Sequence, residues 1–145
     1  MMANAAQTTS FLRERLQPVV EPEPAVVRQL IAELDSKQFA VRQRASKQLS
    51  QMGRLAEPAL RAALVKSSSA EARQRLEALL AAPPALAPTA DVLRHLRAIQ
   101  VLEWINTVDT QQILRTVATG AALAIETQEA SASLERLLER LAKSP

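Results

Sequence analysis

Val26-Val27-Arg28-Gln29-Leu30-Ile31-Ala32-Glu33-Leu34, then Asp35-Ser36-Lys37-Gln38, then Phe39-Ala40-Val41-Arg42-Gln43-Arg44-Ala45-Ser46-Lys47-Gln48-Leu49-Ser50-Gln51-Met52-Gly53 is the stretch that decides the fold. In its first part Val26, Val27, Leu30, Ile31 and Leu34 recur at helical spacing, with Arg28, Gln29 and Glu33 on the opposite side. In its last part Phe39, Val41, Ala45, Leu49 and Met52 mark a second apolar stripe, and Gly53 supplies the left-handed backbone that closes helices. Asp35 and Ser36 allow only a short turn between the two, so the helices pack antiparallel as a hairpin. Such a hairpin cannot hide its apolar faces alone and has to stack on similar units.

Outward from this hairpin the pattern continues. Leu55 to Lys66 repeats the first half with Leu55, Ala59, Leu60, Ala63 and Leu64, and Pro58 lies near enough to its start to be tolerated in the first turn or to kink the helix. Ser67-Ser68-Ser69 forms the turn, and Ser69 caps a helix with Ala72, Leu76, Leu79 and Leu80 inward. Residues 82–88, with Pro83, Pro84 and Pro88, read as a stiff linker. Beyond it lies the longest helix, capped by Thr89 or Asp91, with Leu93, Leu96, Ile99, Leu102 and Ile105 inward until Asn106 and Thr107 break it. Asp109 is expected to cap the next helix and Gly120 to end it, and the last helix begins near Thr127 with Ala130, Leu134, Leu137, Leu138 and Leu141. Upstream, Thr9 or Ser10 can cap a short helix bearing Phe11, Leu12 and Leu16, which Pro18 ends.

This reading divides the chain into a short helix and Pro-rich connector (1–23) and a helical domain (24–142): two hairpins over 24–81, the linker 82–88 and further hairpins over 89–142. The fold class is all-α, a stack of antiparallel hairpins with seven to eight helices forming one cooperative unit around a continuous core. Across the hairpins a small residue is followed by an apolar one four on and another three further, as Ala45/Leu49/Met52, Ala72/Leu76/Leu79, Ala98/Leu102/Ile105 and Ala130/Leu134/Leu137. A small side chain lets helix axes approach and the larger pair fills the groove.

Composition agrees. Hydrophobic residues make up 48% of the chain, but Gly occurs only twice and aromatic residues are 2%, so strands and stacking platforms have little raw material. Cysteine is absent, which excludes a disulfide framework, a thiolate nucleophile and Cys-based metal sites. The first twenty residues carry Arg13, Glu14 and Arg15 where a secretory signal needs an apolar run, and no later segment reads as a membrane span, so the expected setting is soluble and cytoplasmic. A net charge of +3 is spread among acidic neighbours.

With Leu34-Asp35, Phe39-Ala40-Val41-Arg42, Ala45, Leu49, Gly53 and Ala56-Glu57-Pro58-Ala59-Leu60 in place, the chain resembles HEAT and HEAT-like repeat proteins, which are α-solenoids. The run Arg97 to Thr107, with Thr127-Gln128-Glu129-Ala130 and Leu134-Glu135-Arg136-Leu137, is similar to a helical module at the C-terminal end of large bacterial proteins that carry WD-repeat propellers. In that setting Phe11 to Leu16 looks like a connector arriving from an upstream domain. The second hairpin departs from the repeat at Glu71-Ala72-Arg73, where a β-branched residue before the Arg is usual.

The resemblance implies a structural polar ladder in which Asp35 bonds a backbone amide or Arg42. Arg42, Arg44, Lys47, Arg73, Arg75, Arg94 and Arg97 form a basic stripe if their helices share a face, and a phosphate backbone is the partner such a stripe suits. Glu71, Glu77, Asp91 and Glu103 lie nearby and stacking aromatics are scarce, which makes nucleic acid the secondary expectation. Trp104 departs from the inward stripe, either packed against Pro83-Pro84 or a neighbouring helix, or an anchor for a partner. His95 has no second ligand at metal spacing, and the chain has no Gly-rich phosphate cradle, Gly-flanked nucleophilic Ser or paired-carboxylate constellation. The expected function is a non-catalytic protein-binding or scaffolding module without cofactors or metals, whose partner is another protein or an upstream domain of a longer chain. Its candidate contacts are Arg42, Arg73, Arg94, Arg97 and Trp104.

Overall fold

A computed structural model describes residues 2–81 and 89–143. It contains α1 (Met2–Arg15), α2 (Pro24–Glu33), α3 (Phe39–Met52), a 3-10 turn (Gly53–Leu55), α4 (Glu57–Lys66), α5 (Ala70–Ala81), α6 (Ala90–Ile105), α7 (Val108–Ala118) and α8 (Ile125–Ala142). The fold is all-α, with eight α-helices and no strand among the described residues. The Pro-rich linker expected at 82–88 lies outside them.

The chain forms two compact units, Glu21–Ala87 and Met1–Val20 together with Pro88–Pro145. In the first, α2 packs on α3 and α4 on α5, while α2 lies beside α4 and α3 beside α5. Pro24 and Pro58 sit in the first turns of α2 and α4, where the lost N–H has no helical partner to lose. Gly53 closes α3 with φ +53° but ψ −126°, so its φ is positive as expected while the backbone is not the left-handed helical conformation. Ser69 caps α5, its Oγ accepting from Ala72 N–H at 3.3 Å. Val27, Leu30, Leu34, Ala45, Leu49, Ala56, Leu60 and Leu76 form the core. Phe39, expected in that stripe, is 67% exposed instead. It precedes Ala45 by six residues, which at 3.6 residues per turn is about 120° around the helix.

The second unit is a four-helix assembly of α1, α6, α7 and α8 around Leu16, Ile99, Leu102, Ile113, Leu114, Val117, Ala130 and Leu137. Among the described residues, each unit thus has a buried cluster of its own. α6 and α8 run parallel: His95 early in α6 meets Glu126 early in α8, and Glu103 late in α6 meets Arg136 and Arg140 late in α8. α1 begins at Met2, ahead of the expected cap at Thr9 or Ser10, and lies against α6 and α7.

Two local expectations change. α7 is capped by Thr107, not Asp109: Thr107 Oγ1 accepts from Thr110 N–H, and Thr110 Oγ1 accepts from Thr107 N–H in return, a reciprocal box that leaves Asp109 in the first turn. Gly120 does not adopt a left-handed backbone. It is needed for space, since a Cβ there would stand 2.7 Å from both Val19 N and Thr127 Oγ1. Asn106 supplies the left-handed residue, closing α6 at φ 48°.

Candidate functional site

Three of the candidate contacts lie on one helix. α6 starts at the Thr89 cap, whose Oγ1 accepts from Val92 N–H at 3.3 Å, and buries Ile99 and Leu102 completely. At 100° per residue, Leu93, Arg97, Gln100 and Trp104 fall on the side opposite Leu102. Trp104 is 77% exposed and Leu93 is partly exposed, although the latter was expected inward. No helix of its own unit covers the indole, and Pro83-Pro84, the other packing surface expected for it, lie outside the described residues. Arg97 is exposed, and Arg94 is exposed and bonded to Asp91 one turn back.

Glu103, one residue from Trp104, faces the other way. Its side chain is 10% exposed and lies against α8. Arg136 donates from its terminal nitrogen at 2.7 Å and from Nε at 3.2 Å, Arg140 donates as well, and Arg136 also reaches Glu129 at 2.8 Å and Ser133 Oγ at 2.9 Å. The hydrogen bond from Arg136 holds the Glu103 carboxyl below its ordinary range against the opposing effect of burial, and the same bond raises the Arg136 guanidinium. In the sequence Glu103 stands only as one of the acids near the basic stripe. The signal available was the spacing of Arg136 and Arg140, four residues apart and so on one side of α8.

In the Glu21–Ala87 unit the arginines of the basic stripe are engaged internally. Arg42, with only 17% of its side chain exposed, donates to the carbonyls of Ser36 at 2.8 Å and Lys37 at 3.0 Å and stands 3.9 Å from Glu71. Arg73 donates to the Ser67 carbonyl at 2.9 Å. Each Arg thus ties back to the turn carbonyl six residues before it, at the same place in two successive hairpins. Asp35 is paired with neither Arg42 nor a backbone amide. Its carboxylate accepts from Ser69 Oγ at 2.9 Å, joining the turn of one hairpin to the turn of the next. Arg44 bonds Glu33 at 2.9 Å, and Arg75 bonds Glu71, whose carboxyl is held low by that hydrogen bond. Lys47 is exposed.

His95 Nδ1 stands 3.4 Å from Glu126 Oε1, and among the described residues no group of three His, Asp or Glu side chains could hold a metal ion. A cleft of about 360 Å³ opens between α1 and α7, lined by Arg13, Leu16, Gln17, Gln112, Ile113 and Thr116, with Arg13 directed towards Asp109 at 3.8 Å. No helix of the described residues is long and apolar enough to cross a membrane. Comparison with models of known families, with curated proteins and with solved structures finds no match.

Proposed function

We propose that this chain is a non-catalytic protein-interaction module of HEAT-like helical hairpins that binds its partner through the outward face of α6. The observation that carries the reading is Trp104, 77% exposed on a helix that is otherwise anchored by buried Ile99 and Leu102. A large aromatic on a rigid element costs little to order and contributes strongly when a partner desolvates it. Leu93, Arg97 and Gln100 extend the same stripe, so the contact has length as well as an anchor. The HEAT-like part of the reading draws support from the repeated Arg-to-turn bonds of Arg42 and Arg73 and from the side-by-side order of α2 with α4 and α3 with α5. Kinship with the helical segment of propeller-bearing bacterial proteins, and a cytoplasmic setting, belong to the same proposal.

Nucleic acid is the weaker partner on charge grounds. Arg44, Arg75 and Arg94 are paired with carboxylates, and the guanidinium groups of Arg42 and Arg73 are turned back onto turn carbonyls, which keeps their charge but fixes their donors within the fold. The test is affinity capture from the source cell with the wild-type chain and with Trp104→Ala. A protein retained by the first and lost with the second supports the reading. Equal retention by both, or salt-sensitive retention of DNA alone, overturns it.

A further inference from the structure

We draw no further inference here: the strongest candidate, the exposed patch of Leu93, Arg97, Gln100 and Trp104 on the outward face of α6, belongs to the site already described, and nothing in the structure shows what covers it.

Discussion

Replacing Glu103 by Gln removes the one negative charge that two guanidinium groups share between α6 and α8. The Glu103 side chain is 10% exposed, whereas Arg136 and Arg140 are 45% and 56% exposed. Breaking a fully buried pair costs about 3–5 kcal/mol and breaking an exposed one about 0–1 kcal/mol. Here only the acid is buried. Both arginines can turn back to water, while the Gln amide keeps one acceptor but presents an N–H₂ to cations, so the loss lies between the limits at about 1.5 kcal/mol. For a unit of this size that is a fall in Tm on the order of 5–10 °C. The assay is urea unfolding of both proteins, followed by helical circular dichroism, at a series of pH values. Because the hydrogen bond from Arg136 holds the Glu103 carboxyl below the ordinary carboxylate range, the folded state favours the ionised form. The stabilisation is therefore complete above the unfolded carboxyl's pKa and is lost as pH falls through the lower folded value. Wild type and variant should differ at pH 7 and converge in acid. A difference under about 0.5 kcal/mol at pH 7, or one that persists undiminished at the lowest pH where both remain folded, would refute the assignment of this network as the link between α6 and α8.

Trp104→Ala should change stability by less than about 0.5 kcal/mol, since the ring is mostly in water, and wild-type emission should be readily quenched by iodide; a shielded indole would contradict the exposed face. Gly120→Ala forces a Cβ against the Val19 backbone and should cost about 1–3 kcal/mol, seen as a lower urea midpoint. Thr107→Ala removes the cap of α7 and should cost about 1 kcal/mol, with faster amide exchange confined to the first turn as its local signature. Leu49→Asp places an unpaired charge in the α2–α5 core and should abolish amide protection across those helices; retained protection would refute the placement of Leu49.

Helix identity was readable because it depends on neighbours three and four residues away. The α2–α3 hairpin, the Pro positions of α2 and α4, the Ser69 cap and the break at Asn106 were all visible as local chemistry. Local spacing also placed Arg94, Arg97 and Trp104 on one helix. Where two local signals competed, the reading failed: Asp109 and Thr107 both suit a helix start, and only the reciprocal bonds of Thr107 with Thr110 select between them.

What tertiary packing alone decided is the direction in which polar groups face. Asp35 reaches Ser69, 34 residues away, and Glu103 reaches Arg136, 33 residues away, so neither partner is within the range of helical periodicity. The same holds for Leu16, which closes a core otherwise built from residues beyond 98. Periodicity tells which side of a helix is apolar, but long-range contact decides whether an intervening acid is buried and paired or left in water. By burying Glu103 and leaving Trp104 outside, that contact set the chemistry of the α6 face.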